Sequence, residues 1–356
     1  MTAGLWLWLA LAAPPDPAFL EALKLHQAGK LAAAVEQYRL ALKANPNHFE
    51  ARSNLGAALV ALGRYQEAIA EYRGALRSAP ASAHAALRTN LALAYYKAER
   101  IREATAEFTA LRAQNPDDLK LALLVADCHF RAGDNKQVIE VLEPFERRGA
   151  GSPALDYLLG TALIREGRVA EGQVLADRIL RRGDSPEAHL MLGAAQMRTA
   201  RFQDAAREFS RALELNPKLL TANLLLGQAR AELGDREGAA QAFRRELALD
   251  ANNYEANLQW GAMLKDDQHM KEALPYLARA AQLRPGLLAA PYQMAMTHLA
   301  LGNLDRARVE LERLVKQAPK FAEAHVGLAT VYLRLGRKEE AARERDIAAK
   351  LAAGER

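Results

Sequence analysis

Residues 54–72 read NLGAALVALGRYQEAIAEY, and small residues in this stretch stand at fixed offsets from leucine and tyrosine. An amphipathic helix needs no such arrangement, because any small or polar residue serves on its solvent face. Residues 223–243, NLLLGQARAELGDREGAAQAF, follow the same pattern, with Gly227 in the place of Gly56 and Phe243 in the place of Tyr72. This self-similarity indicates a repeat protein.

The repeat has a period of about 34 residues, and prolines close most copies in register. Each copy has room for two short helices joined at a glycine such as Gly63, because glycine tolerates the positive φ that ends a helix. After an N-terminal segment, 1–14, the remaining chain, 15–355, divides into ten predicted units: 15–48, 49–82, 85–118, 119–152, 153–185, 186–219, 220–253, 254–287, 288–321 and 322–355.

The eighth position of every unit is alanine or glycine, and the twenty-fourth is large in most units. Helix axes pack about 8–10 Å apart, and the near end of that range requires small side chains where the backbones cross. We therefore predict that the small residues let the two helices of a unit touch, while the large residues fill the space beside the crossing. The large residues are Tyr38, Tyr72, Phe108, Leu142, Phe209, Phe243, Leu277 and Leu311.

This spacing resembles the tetratricopeptide repeat (TPR) family, whose units carry Leu-Gly, Tyr, Gly, Ala, Phe or Tyr, Ala and Pro in that order. The resemblance covers residues 15–355. It implies an all-α fold, a TPR α-solenoid that forms a right-handed superhelix of about ten helix-turn-helix repeats. It also implies a concave face that binds peptides or proteins.

The middle of the chain departs from the pattern. Pro144 falls inside a predicted second helix, where proline removes a hydrogen bond and clashes with the preceding turn. Gly172 and Ala176 are small where other units have larger side chains, which predicts thin packing of the fifth unit. We expect a bend or hinge within residues 143–185.

Composition favours a non-catalytic protein. Forty-eight Lys and Arg against 43 Asp and Glu give a net charge of +5 without a polybasic block, which indicates a solvated helical surface and no nucleic-acid partner. The single cysteine, Cys128, excludes an internal disulfide and a multi-cysteine metal cluster. The sequence has no phosphate-binding loop, serine elbow or zinc helix. We predict no catalytic residue, no cofactor and no metal site.

A protein-binding groove is predicted on the first helices. Their thirteenth position is basic in units three to six and then acidic, and the fifth and twelfth positions are apolar or aromatic. An extended peptide with acidic side chains and apolar anchors matches such a surface, although an inherited, solvated ladder of charges accounts for it equally well. The predicted groove residues are Lys97, Arg131, Arg165, Arg198, Glu232 and Asp266, with Tyr96, Phe130, Ile164, Met197, Leu123, Tyr157 and Leu190 beside them. At the sixth position, the amides of Asn54 and Asn90 are candidates to bond the peptide backbone.

The N-terminal segment is apolar, with LWLWLALAA at residues 5–13 followed by PPDP. This run is too short to span the ~30 Å hydrocarbon core of a bilayer, so no stable transmembrane span is predicted. It suits a secretory signal with an A-x-A cleavage triplet, although no Lys or Arg precedes it. We predict export to the periplasm or the extracellular space; the alternative is a lead-in to the first helix of a cytoplasmic protein.

The sequence thus predicts a non-catalytic scaffold that holds a partner protein or an extended peptide in the concave groove and aids assembly of a complex. The alternative is an accessory subunit of envelope polymer-export or glycosyltransferase machinery, which contacts its partner by the convex face or the ends. Partner identity and oligomeric state stay open.

Overall fold

A computed structural model describes residues 16–353, which form α-helices and, within that range, no strand. The chain divides into two compact halves, residues 1–182 and 183–356. Described helices of the first half are α1 (Pro17–Gln27), α2 (Leu31–Ala44), α3 (Phe49–Ala61), α4 (Tyr65–Ser78), α5 (Ala81–Lys97), α6 (Ile101–Gln114), α7 (Leu119–Arg131), α8 (Asn135–Arg147), α9 (Pro153–Arg165) and α10 (Val169–Leu180). Those of the second half are α11 (Pro186–Arg198), α12 (Phe202–Leu215), α13 (Ala222–Glu232), α14 (Arg236–Leu249), α15 (Tyr254–Asp266), α16 (Met270–Leu283), α17 (Ala289–Ala300), α18 (Leu304–Gln317), α19 (Ala322–Arg334) and α20 (Lys338–Ala352).

Odd-numbered helices are the first helices of the repeats, and even-numbered helices are the second. Within each half, a first helix packs on the second helix of its own repeat, and that second helix packs on the next first helix. Consecutive first helices also touch, as α3 and α5 do, and as α7 and α9 do. The first helices of neighbouring repeats therefore present a shared face.

Local sequence explains where the helices begin. The Asp118 carboxylate accepts hydrogen bonds from the first backbone N–H groups of α7, and the Ser152 hydroxyl does the same for α9. Helix α5 begins at Ala81, four residues before the predicted start of the third unit at residue 85. The alanine-rich stretch after Pro80 adds a helical turn there, because alanine is the strongest helix former.

The turns between paired helices require a left-handed residue. Glycine supplies it in most repeats, as Gly63 does at φ +74°. In the sixth repeat Ala200 takes this conformation instead, at φ +55°. A left-handed residue with a Cβ is less stable than glycine by about 1–2 kcal/mol. Glu99 and Gln268 do the same in the third and eighth repeats, at φ +58° and +65°, so these three turns are strained where the glycine turns are not.

The predicted pairing of small and large residues is present. A Cβ added to Gly56 would lie 2.8 Å from the Tyr72 ring, and one added to Gly193 would lie 2.5 Å from the Phe209 ring. Both rings are fully buried. Because real Cβ atoms essentially never approach so closely, the small residues set the distance between the paired helices.

Two buried tyrosines at the twenty-fourth position differ in their hydroxyl groups. The Tyr38 hydroxyl and His26 Nδ1 share a hydrogen bond at 3.2 Å, and burial lowers the pKa of His26. The Tyr72 hydroxyl is buried and has no hydrogen-bond partner among residues 16–353. An unpartnered buried hydroxyl opposes folding.

A buried glutamate holds the start of α13. Glu246 Oε1 accepts from the Thr221 N–H at 2.9 Å and from Asn253 Nδ2 at 3.1 Å, while Oε2 accepts from the Leu224 N–H at 3.3 Å. Burial raises the pKa of Glu246, and these hydrogen bonds oppose the rise. The carboxylate supplies the acceptor that exposed N–H groups at a helix start require.

The fifth repeat is well packed, so the prediction of thin packing is wrong. A Cβ added to Gly172 would lie 2.5 Å from Ile164 Cγ1 and 2.7 Å from the Gly160 carbonyl oxygen. Ile164 was expected in the groove, but it is only 1% exposed because it fills the space that Gly172 leaves. A larger residue from the first helix thus compensates for the missing side chain on the second.

Ion pairs also join helices around the irregular segment. The Asp156 carboxylate is fully buried on α9 and accepts from Arg178 at 3.1 Å and Arg182 at 2.8 Å, and Arg178 also donates to Glu146 at 2.6 Å. Burial raises the pKa of Asp156, while the hydrogen bond from Arg178 lowers that of Glu146. Pro144 lies inside α8, which continues to Arg147. The bend within 143–185 stays a prediction.

The predicted signal segment, 1–14, lies outside the described residues. Within residues 16–353, no helix combines the length and the apolar character that crossing a bilayer requires.

Candidate protein-binding face

Aromatic rings and guanidinium groups alternate along the first helices of the first half. The guanidinium carbon of Arg131 lies 4.5 Å from the centroid of the Tyr96 ring, and that of Arg165 lies 4.6 Å from the Phe130 ring. The Phe130 and Tyr157 ring centroids are 6.1 Å apart. We call these five residues, Tyr96, Phe130, Arg131, Tyr157 and Arg165, the aromatic–arginine ladder.

The repeat period builds this ladder. An arginine at the thirteenth position of one first helix covers the ring at the twelfth position of the preceding one, from α7 to α5 and from α9 to α7. Such cation–π contacts contribute about 0.5–1 kcal/mol at exposed sites. They restrain the long arginine side chains in advance, so less conformational entropy is lost when a ligand binds.

Asp127 completes one end of the ladder. It accepts the hydroxyl proton of Tyr96, and its carboxylate lies 3.5 Å from Arg131 Nε. Burial raises the pKa of Tyr96, and the hydrogen bond to Asp127 raises it further. Asp127 is absent from the predicted groove residues, although its place four residues before Arg131 on one helix was a usable signal.

The ladder carries an excess of positive charge. Lys97 is exposed, and neither Lys97 nor Arg165 has a carboxylate within 4 Å in the part of the chain that the structure describes. Arg131 forms an ion pair with Asp127, which offsets its positive charge. Two unpaired cations thus lie beside rings that are partly exposed. This combination suits a ligand with carboxylates and apolar side chains.

The other predicted groove residue of α7, Leu123, is half-buried.

Asn54 and Asn90 are buried and not exposed in a groove as predicted. Their side chains are 0% and 1% exposed, and their amide atoms have no hydrogen-bond partner within residues 16–353. Neighbouring helices enclose these side chains, so they are not available to bond the backbone of a peptide on the surface. The predicted asparagine contacts are wrong.

The second half holds the remaining predicted groove residues. Leu190 and Met197 are partly buried and pack against a core cluster that includes Phe209 and Leu226. Arg198, Glu232 and Asp266 are exposed at the ends of α11, α13 and α15. Asp266 lies 3.3 Å from Lys265 Nζ.

Reactive groups do not converge in the described part of the chain. Cys128 is fully buried, and burial raises the pKa of its thiol to about 11, which keeps it protonated. Among residues 16–353, no group of three or more His, Cys, Asp or Glu side chains is placed to hold a metal ion.

Comparison with known families assigns the class of protein. The tetratricopeptide repeat family matches residues 19–83, 89–153, 157–219, 190–254 and 264–325. The chain belongs to this family, whose repeats typically form non-catalytic scaffolds for protein–protein interaction. The predicted fold class, an all-α TPR solenoid of about ten repeats, is confirmed.

Solved structures with this fold are distant in sequence. A tetratricopeptide repeat protein from Parabacteroides merdae is 14% identical with a TM-score of 0.61, and the match covers 70% of this chain and 98% of that one. The Cut9–Hcn1 structure from the APC/C is 15% identical with a TM-score of 0.58, covering 94% of this chain and 73% of that one. At these identities the likeness extends to the fold alone.

One curated relative is closer over a short segment. The Vi polysaccharide export protein VexE of Salmonella typhi is 42% identical over 89 residues. The match covers 24% of this chain and 13% of that protein.

Proposed function

We propose that this protein is a non-catalytic scaffold that binds an extended, acidic segment of a partner protein along the aromatic–arginine ladder. The observation that carries the proposal is the stacking of Arg131 on Tyr96 and of Arg165 on Phe130. Arginine and aromatic residues are enriched at the energetic centres of protein interfaces. The scaffold brings the bound partner into a larger complex and performs no chemistry of its own.

Charge and shape support this choice of ligand. Lys97 and Arg165 attract carboxylates, because they lack them within the described residues, and the rings of Tyr96, Phe130 and Tyr157 offer apolar surface between the cations. Electrostatic complementarity mainly raises the rate and the specificity of association, while burial of apolar anchors supplies affinity. A segment that alternates acidic and apolar side chains uses both.

Charge reversal tests the proposal. Arg131→Glu and Arg165→Glu together are expected to weaken capture of the native partner by at least tenfold, because each reversal replaces an attraction with a repulsion. Arg102→Glu is the matched control, since Arg102 is exposed on α6, a second helix, and lies outside the ladder. The measurement is quantitative pull-down from the native host, followed by affinity measurement with the captured protein. Equal capture by the ladder variant and the control would refute the proposal.

A second candidate function has a specific observation behind it. The 42% identity to a segment of VexE favours an accessory subunit of envelope polymer-export machinery that contacts its partner by the convex face or the ends. Site-directed crosslinking in the native host separates the two functions. Crosslinks from ladder positions support the groove scaffold, whereas crosslinks restricted to second helices or to α20 support the accessory subunit.

Export is part of the proposal in both cases. The apolar run at residues 5–13 with its A-x-A triplet is the supporting feature. Sequencing the N-terminus of the mature protein tests it, and a mature chain that starts at residue 1 or 2 would exclude cleavage.

A further inference from the structure

A cleft of about 470 Å³ lies between the second helices α14 and α16 of the second half. Leu247 of α14 and Pro275 and Tyr276 of α16 provide its apolar lining, and Arg244 and Arg279 lie at its sides. The volume falls within the range of about 300–1,000 Å³ that is usual for ligand sites. The cleft belongs to the second helices, a different face from that of the ladder.

Both arginines lack an acidic partner. Arg244 and Arg279 have no carboxylate within 4 Å among residues 16–353, although most arginines nearby, such as Arg236 and Arg284, form ion pairs. The glutamate nearest to Arg244 in the chain, Glu246, is buried and faces the start of α13. The cleft is therefore flanked by two cations whose charges the protein leaves uncompensated.

Neighbouring side chains restrain the two arginines. The guanidinium carbon of Arg244 lies 5.3 Å from the centroid of the Trp260 ring, and that ring packs edge-on against Tyr276 at 6.3 Å. Arg279 donates to the side-chain oxygen of Asn252, in the loop that joins α14 to α15. These contacts are neutral, so they hold the guanidinium groups in place without reducing their charge. Restrained cations of this kind suit carboxylate recognition.

From these observations we infer that the α14–α16 cleft is a second binding site, which takes a short acidic peptide segment of a partner protein. One apolar side chain of the segment packs on Leu247 and Tyr276, and its carboxylates pair with Arg244 and Arg279. The apolar lining favours a peptide over a nucleic acid, whose affinity comes mainly from phosphate contacts. The inference does not rest on the proposed function of the ladder.

The test begins with selection of random twelve-residue peptides on the full chain that carries Arg131→Glu and Arg165→Glu, so that the ladder, which takes the same kind of segment, does not supply the enriched sequences. Enriched sequences are expected to contain Asp or Glu next to Leu, Phe or Trp, and a fluorescein-labelled peptide of the most enriched sequence then serves as the probe. Arg244→Gln with Arg279→Gln is expected to weaken its binding at least tenfold, measured by fluorescence polarisation. Binding to the unmodified protein should also weaken as salt rises, because exposed charges are screened.

Two control variants make the result specific. Arg245→Gln removes an exposed cation of α14 that does not line the cleft, and it is expected to leave binding unchanged. Arg131→Glu with Arg165→Glu is the protein on which the peptides are selected, so failure at this site is distinguishable from failure at the ladder. Unaltered circular dichroism shows that each variant is folded.

Either of two outcomes overturns the inference. One is equal peptide binding by the Arg244→Gln, Arg279→Gln variant and the unmodified protein. The other is that a labelled oligothymidylate probe binds the protein more tightly than any selected peptide and loses that binding in the same variant, because the cleft would then be a phosphate site.

Discussion

Removing one hydroxyl group is expected to stabilise the first half of this protein. Tyr72→Phe deletes a buried hydroxyl that has no partner within the described residues and leaves the ring in place. Phenylalanine already occupies the same repeat position at Phe108, Phe209 and Phe243, so the change introduces no new shape. A polar group buried without a hydrogen bond costs about 1–3 kcal/mol. We expect the free energy of unfolding to rise by about that amount.

Tyr38→Phe is the matched control. Tyr38 is also fully buried at the twenty-fourth position, but its hydroxyl forms a hydrogen bond with His26. A neutral hydrogen bond contributes about 0.5–1.5 kcal/mol, so this variant is expected to be destabilised by about that amount. The two changes remove the same atom from equivalent places and should have opposite signs.

Urea unfolding of both variants, followed by hydrogen exchange of the amides in α1–α4, measures the effect. Exchange is needed because repeat proteins do not always unfold in a single all-or-none step. Both tyrosines belong to the first two repeats, so the same local unfolding reports on them. Destabilisation by both changes, with unaltered slopes in urea, would refute the assignment of the Tyr72 hydroxyl as unpartnered.

Two further predictions concern the second half. Ala200→Gly should raise the free energy of unfolding by about 1 kcal/mol, because it removes the Cβ of a left-handed residue. Ala195→Gly, inside α11, is the control and should lower the free energy of unfolding by about the same amount. Thermal unfolding of the two variants measures both effects, and effects of the same sign and size would contradict the strain argument. Burial raises the pKa of Glu246, so its carboxyl group binds a proton more tightly in the folded than in the unfolded chain. The stability gained from this tighter proton binding is fully present below the ordinary pKa of 4.5, and it is lost as pH rises through the raised pKa of the folded chain. The stability of the unmodified protein relative to Glu246→Gln should therefore fall as pH rises above 4.5 in urea titrations, and a difference that does not change with pH would contradict it.

Sequence alone was sufficient for the fold because the rule that builds each repeat is local. Small residues such as Gly56 and Gly193 meet rings that stand sixteen residues later in the same unit, so a fixed period reveals both partners. The two stacked arginines both occupy the thirteenth position of a first helix, which the repeat period singles out, and their place in a binding groove stays a prediction.

Features that depend on compensation between positions could not be predicted. Ile164 does not lie in the predicted groove, because its side chain fills the space beside Gly172. No other repeat has glycine at that position of its second helix. Asn54 and Asn90 occupy a position whose exposure is decided by side chains of neighbouring helices, and helical periodicity alone does not give that information. The unpaired charges of Arg244 and Arg279 likewise become evident only when their surroundings are known.

The sharing of each ladder contact between adjacent repeats has a mechanical consequence. Arg131 belongs to α7 but rests on a ring of α5, and Arg165 belongs to α9 but rests on a ring of α7. A segment bound across both arginines would link three consecutive repeats and resist their separation. Tension that pulls these repeats apart would then have to break the ligand contacts first, so an occupied protein should stretch less readily than an empty one.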